Sequence, residues 1–189
     1  MIPPSPPPPI PSFGDVGLPE GHAYPELAYH APTNSIIVHT RPLDSVLPIR
    51  RLSIRRTSEF RYRLMDEFPP SVSVESFVLS VTQPVLYLLT YTWSEYPNGP
   101  PGGSWEALYR FNLETGMSEV IVRHGELMPE SPHRPPWLNK LISISADDCK
   151  LFCKVGFQTS DSNAHYYLAA LTIADGKLTL ISKLPAVFA

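Results

Sequence analysis

Charge is scarce in this chain. Only 17% of its 189 residues are Asp, Glu, Lys or Arg, and they leave a net charge of −3. A balance so near neutral offers no general attraction to nucleic acid or to an anionic membrane. Cysteine is scarcer still, at Cys149 and Cys153 alone. In an extended strand, four residues hold two Cα atoms roughly 13 Å apart, and a disulfide needs about 7 Å or less. Two thiols also fall short of a zinc site. Both are therefore expected as buried groups that pack like small apolar side chains. No stretch approaches the ~18 consecutive apolar residues of a membrane-spanning helix. The opening "MIPPSPPPPIPSFG" has neither a basic start nor an apolar centre, so it does not read as a signal peptide, and an intracellular, cytoplasmic location is the expectation.

Reaction motifs are missing as well. There is no GxSxG, no P-loop, no GxGxxG and no HExxH. The six histidines, His22, His30, His39, His124, His133 and His165, show no metal-ligand spacing. His39 follows Val38 in an apolar run and reads as a packed or edge histidine. Asp147 and Asp148 are adjacent carboxylates. Neighbours on a tight turn point apart, so a turn-forming role is expected rather than acid–base work. No catalytic residue, metal ion or cofactor is expected.

What is abundant is proline, with 23 residues, together with 43% hydrophobic side chains. That apolar share is enough for a globular core. The prolines concentrate first in residues 1–12, within an N-terminal segment 1–24. This segment should form polyproline II or lie along the body, and it offers several PxxP registers for a partner. From residue 25 to 189 the apolar runs are short, rich in β-branched and aromatic residues, and bounded by Pro, Gly, Asn and Asp. No amphipathic helical periodicity competes with them. The fold class is all-β.

Three segments align without gaps: "HAPTNSIIVHT" from His30, "SVTQPVLYLLT" from Ser80 and "SADDCKLFCKV" from Ser145. Each has a short strand before it, a polar turn in its middle, and then a run with adjacent apolar residues. Such a run suits an inner strand covered on both faces. A second echo follows. "LYRFNLETGMSEVIV" (Leu108–Val122) matches "LAALTIADGKLTLIS" (Leu168–Ser182), with Gly116 and Gly176 where a turn needs positive φ. Together these define antiparallel four-stranded meander repeats at about 26–66, 74–123 and 140–184. The first unit, through "IRRLSIRRTSEFRYRL", is the weakest match.

A four-stranded unit recurring at this spacing suits a β-propeller blade. The segments "ISISADDCKLFCKV" and "LYRFNLETG" resemble the turn and hairpin motifs of TolB-type and WD40-like propeller blades. The resemblance covers about 150 residues. Departures are the lack of a Trp-Asp dipeptide, the lack of an opening Gly-His, and Asp147-Asp148-Cys149 in place of Pro-Asp-Gly. What it implies is a propeller-like arc of about three blades, and no particular chemistry, since propellers host unrelated functions. Propellers close with about four to eight blades. Three blades leave edges that invite pairing, so a second copy or a protein partner is expected to complete the arc; the alternative is a small open β-array with the proline-rich N-terminus covering an edge.

Candidate binding residues come from two stretches. "TWSEYPNGPPGGSW" (Thr92–Trp105) reads as a long loop carrying Trp93, Tyr96 and Trp105. Exposed there, these rings would suit a protein contact or stacking on a sugar; otherwise they pair across a hairpin as structure. Residues 50–63, "RRLSIRRTSEFRYR", hold six of the fifteen Lys and Arg residues. Arg50 and Arg55, with Arg61 and Arg63, would form one patch for an acidic partner, with nucleic acid the less favoured ligand. "RRLS" and "RRTS" also resemble kinase sites, with Ser53 and Ser58 as acceptors. The resulting expectation is a non-catalytic protein-binding or scaffold module. The rival readings are an enzyme or the propeller part of one, such as a hydrolase or lyase on a glycan or peptide, and a lectin-like sugar binder.

Overall fold

The computed structural model describes residues 22–43, 49–58, 63–64, 71–96, 99–127, 136–158 and 164–185. Their strands form three antiparallel sheets of four, each a simple meander. Sheet 1 holds β1 (His22–His30), β2 (Ser35–Pro42), β3 (Arg51–Arg56) and β4 (Arg63–Leu64). Sheet 2 holds β5 (Val72–Leu79), β6 (Val85–Tyr96), β7 (Gly99–Asn112) and β8 (Ser118–Arg123). Sheet 3 holds β9 (Trp137–Ile144), β10 (Lys150–Gln158), β11 (Ala164–Thr172) and β12 (Leu178–Lys183). The protein is all-β among the described residues, as the alternating runs require.

The repeat is visible bond by bond in the outer hairpins. Gly116 donates to the Asn112 carbonyl at 2.9 Å, and Asn112 donates to Met117 at 2.9 Å. In sheet 3, Gly176 donates to Thr172 and Thr172 to Lys177, both again at 2.9 Å. The two glycines have φ of 72° and 67°, a region that side-chain-bearing residues rarely enter. Sheet 1 has no such glycine, and β3 and β4 pair over two positions only.

Thr92–Trp105 is a strand extension and not the loop its Pro and Gly content suggested. Trp93 pairs with Gly103, Ser94 with Gly102 and Tyr96 with Gly99. β8 pairs with β7 only from Ala107 to Phe111. Around Pro100 and Pro101, β7 is therefore an edge, the setting in which a sheet tolerates proline. Gly103 leaves room for Trp93, whose indole would lie 2.9 Å from a Cβ at that position.

Stacking follows from β6. Leu86 and Leu88 pack with Ile37 and Leu52 of sheet 1. Val85, Tyr87 and Leu89, on the opposite face, pack with Leu151, Cys153 and Val155 of sheet 3. Sheet 2 is thus the middle layer, apolar on both sides. The repeat alignment gives each position a facing. Ser35, Ile37 and His39 correspond to Val85, Tyr87 and Leu89, and these to Lys150, Phe152 and Lys154. His39 does face sheet 2, with its ring edge-on to Phe77 at 5.7 Å. In sheet 3 two of the three forward positions have become lysine. That face is not built to receive another apolar sheet, and a polar outer face is what closes a stack of repeats. At the other end, Ile36 and Val38 on the second face of sheet 1 are buried too.

A polar latch adds to the apolar stacking. Asp148, in the β9–β10 turn, has φ of 56°, a left-handed conformation that Asp tolerates better than most residues. Its carboxylate reaches the β5–β6 turn of sheet 2. It accepts from Ser80 Oγ at 2.7 Å, Val81 N at 2.9 Å, Thr82 N at 3.0 Å and the Thr82 hydroxyl. Burial raises the Asp148 pKa, but the four donors together outweigh it and hold the carboxyl below its ordinary 3.8. A depressed carboxylate pKa contributes stability above the unfolded value, and that contribution is lost as pH falls through the folded value. Asp148→Asn is therefore expected to lose about 1–3 kcal/mol at neutral pH, because it strands buried donors. In urea unfolding, the gap between wild type and variant should narrow as pH drops below 3.8; a gap independent of pH would contradict the latch.

Candidate functional site

Three hairpin turns meet at one end of the stack: β1–β2, β5–β6 and β9–β10. They bring His30, Ser80 and Asp148 together, all buried. The residue types match a catalytic triad, but the connections do not. A triad needs the serine on the histidine and the histidine on the aspartate. Here Ser80 donates directly to Asp148, and His30 Nδ1 bonds Thr33 Oγ1 at 2.8 Å. Burial lowers the His30 pKa, against weaker opposing effects of the Gln83 and Ser80 backbone and of Asp148. The cluster is a structural joint.

Asp147 and Asp148 do point apart. Asp147 caps its own turn, accepting from Ser145 Oγ at 2.6 Å and Cys149 N at 3.1 Å. Ser145 occupies the position of Ser80, so Asp147 fills the place that Asp148 fills in sheet 2. A further carboxylate arriving there would meet a like charge.

The two arginines of the basic stretch serve different places. Arg50 and Arg55 stand five residues apart on extended chain, roughly 16 Å, and do not make one patch. Arg55, half-buried, lies opposite Ile36 in the β2–β3 ladder. Arg50 is exposed and held by its backbone to β5: Arg50 N donates to Ser73 Oγ at 2.9 Å and Val74 N to the Arg50 carbonyl at 3.1 Å. Arg61 and the Arg63 side chain lie outside the described residues, as does the proline-rich segment 1–12. Ser53 is buried, which removes it as a kinase acceptor; Ser58 is exposed.

Arg50 lines a cavity of about 290 Å³ with Glu26, His39, Thr40 and Arg41. Glu26 stands directly across from His39 in the β1–β2 ladder. His39 is 3% exposed. Its Nε2 donates to the Val74 carbonyl at 2.6 Å, and its Nδ1 lies 3.0 Å from Glu26 Oε2. The sequence reading passed over Glu26, His39 and Arg41 as a group. The available signal was a polar residue, His39, at a position that sheet 2 fills with Leu89.

The aromatic trio separates. Trp105 is 2% exposed and packs edge-on to His124 at 5.4 Å, so it offers no ring face to a sugar. Trp93 is half-buried over Gly103, with Nε1 3.4 Å from Glu75 Oε1. The Tyr96 side chain lies outside the described residues. The exposed triplet that a lectin-like reading requires is not formed by Trp93 and Trp105. Among the described residues no group of three His, Cys, Asp or Glu side chains is placed to hold a metal ion, and no helix is long and apolar enough to cross a membrane.

No protein-family model matches the chain, and a search of curated proteins finds no significant match.

The cysteines differ from the expectation of two buried thiols. Both are free, but Cys149 is exposed at the β9–β10 turn while Cys153 is buried on β10. Burial pushes the Cys153 thiol up to about 12, which suppresses its reactive thiolate. A thiol-reactive dye should label one cysteine in the folded protein and two in denaturant; two fast reactions in the native state would contradict this placement.

Proposed function

We propose that the protein is a non-catalytic protein-binding or scaffold module, a β-propeller-like arc of three blades that holds a partner along sheet 3. The observation that carries this reading is β12. It is an edge strand exposed from Thr179 to Lys183, with Leu180 at 42% and Ile181 at 52% exposure. An exposed strand edge with apolar side chains is a template for an added strand.

The surroundings favour an acidic polypeptide as that strand. All the lysines of the chain, Lys140, Lys150, Lys154, Lys177 and Lys183, fall in or beside sheet 3. Lys177 and Lys183 stand just before and at the end of β12, where acidic side chains of an added strand would meet them. Nucleic acid fits less well, because the aromatic faces are occupied. Lys154 Nζ sits 4.0 Å from the Tyr166 ring centroid, and Trp137 packs edge-on to Tyr166 at 6.2 Å. A second copy completing a ring also fits poorly. It would press its lysine-bearing sheet 3 onto a sheet 1 face whose Ile36 and Val38 are already buried. The enzyme reading needs a nucleophile beside an available base, and Ser80 Oγ instead donates to the Asp148 carboxylate.

Light scattering after gel filtration is expected to return a monomer of 21.1 kDa. A synthetic peptide alternating Glu and Val should then shift the β12 amide resonances saturably, and an otherwise identical Lys–Val peptide should not. Ile181→Lys, or Lys177→Glu with Lys183→Glu, should abolish the shifts. A stable dimer, or equal response to both peptides, would overturn the reading.

A further inference from the structure

The cavity on sheet 1, lined from β1, β2 and the approach to β3, lies apart from β12 and carries its own chemistry. Among the described residues its charged lining is Arg41 and Arg50 with the carboxylate of Glu26, and His39 stands beside them. Arg50 also lies 3.9 Å from Glu75 Oε2, at the limit of an ion pair, and its Nη1 donates to the Glu75 carbonyl oxygen at 3.3 Å. Arg41 and Arg50 are both exposed. Two arginines thus line one cavity within a chain whose overall charge is −3. That contrast is local and built by strand pairing: the β1–β2 register sets Glu26 opposite His39, and backbone bonds to β5 fix residue 50 beside them.

We infer that this cavity is a binding site for a compact polycarboxylate, with Arg41 and Arg50 gripping one carboxylate and His39 Nδ1 receiving another in place of Glu26. Glu26 shows that the ring accepts a carboxylate at 3.0 Å. It is 64% exposed, so a competing carboxylate displaces a solvated side chain and leaves no buried charge behind. The guanidinium fork matches a planar carboxylate in two parallel bonds. His39 supplies a rigid donor, since its Nε2–H is anchored on the Val74 carbonyl at 2.6 Å. Size narrows the ligand. The cavity of about 290 Å³ sits at the small end of ligand pockets, which run roughly 300–1,000 Å³. A compact acid fits that volume and a nucleotide does not. The paired carboxylates have two sources, a free small-molecule acid or an acidic peptide end.

Isothermal titration of the full chain at fixed ionic strength tests the site with succinate, citrate, a Glu-Glu dipeptide, acetate and inorganic phosphate. Saturable binding is expected for succinate or citrate, or for the dipeptide if the natural source is a peptide. Acetate should bind at least about tenfold more weakly, because it lacks the second charge-assisted grip. Arg50→Ala and Arg41→Ala should each weaken the interaction about tenfold or more, with thermal melts confirming that the variants fold. Glu26→Gln should bind as tightly as wild type or tighter, because the competing carboxylate is gone; a purely structural Glu26 would instead give weaker binding. The inference is overturned by three outcomes: no saturable binding of any polycarboxylate, affinity unchanged in both arginine variants, or phosphate binding as tightly as the best acid. None of these touches β12, so failure here and failure of the protein-binding reading are separable.

Discussion

A strand with apolar side chains on both faces has to be covered twice. β6 is such a strand, with Leu86 and Leu88 on one side and Val85, Tyr87 and Leu89 on the other, all nearly inaccessible. No four-stranded sheet can satisfy that demand alone, since its own strands lie beside β6 and not above or below it. The demand puts sheet 2 in the middle and recruits sheets 1 and 3 as its covers. Replacing any one of these leucines with alanine removes contacts from a close-packed layer, a loss of about 2–5 kcal/mol for a fully buried Leu. The remaining architecture can be read as the means by which this stacking is oriented and brought to an end.

Apolar burial is non-directional, and on its own it would let one sheet slide over another. Polar contacts between sheets remove that freedom. Asp148 binds the Ser80–Thr82 turn, Leu141 N donates to Ser76 Oγ at 2.9 Å, and the Tyr91 hydroxyl donates to the Leu138 carbonyl at 2.6 Å. Between sheets 1 and 2, His39 and the backbone of residue 50 do the same. The ends are handled by charge. Lys150 and Lys154 occupy forward positions that sheet 2 fills with Val85 and Leu89, and Asp147 occupies its own turn. Both features discourage a fourth unit from docking as the third does.

Much of the fold was legible because it is local. The three gapless segments and the two glycine hairpins follow from residues within about ten positions of one another, where turn chemistry and period-two patterning act. The stretch Thr92–Trp105 was misjudged because proline and glycine signal a loop only where a ladder needs their backbone; among the described residues β7 has no second partner there. Trp105 and Cys149 show the same limit in opposite directions. An aromatic beside glycines reads as exposed, and a cysteine near the start of an apolar run reads as buried, yet burial depends on which sheet passes overhead. Arg50 was singled out as one member of a basic run, while its actual neighbours, Glu26, His39 and Arg41, come from β1 and β2. No pattern in the order of residues announces that grouping, since it depends on register and stacking.

The latch also bears on the order in which the molecule assembles. Each hairpin closes over a few residues and can form within microseconds. The contacts of Asp148 join residues 66 to 68 apart in sequence, and such distant closures pay their entropy before any reward. The β5–β6 turn has to exist before its donors can converge on one carboxylate. In the finished fold the aspartate therefore acts as a check on its neighbour: it finds its four donors only where the β5–β6 turn is correctly closed.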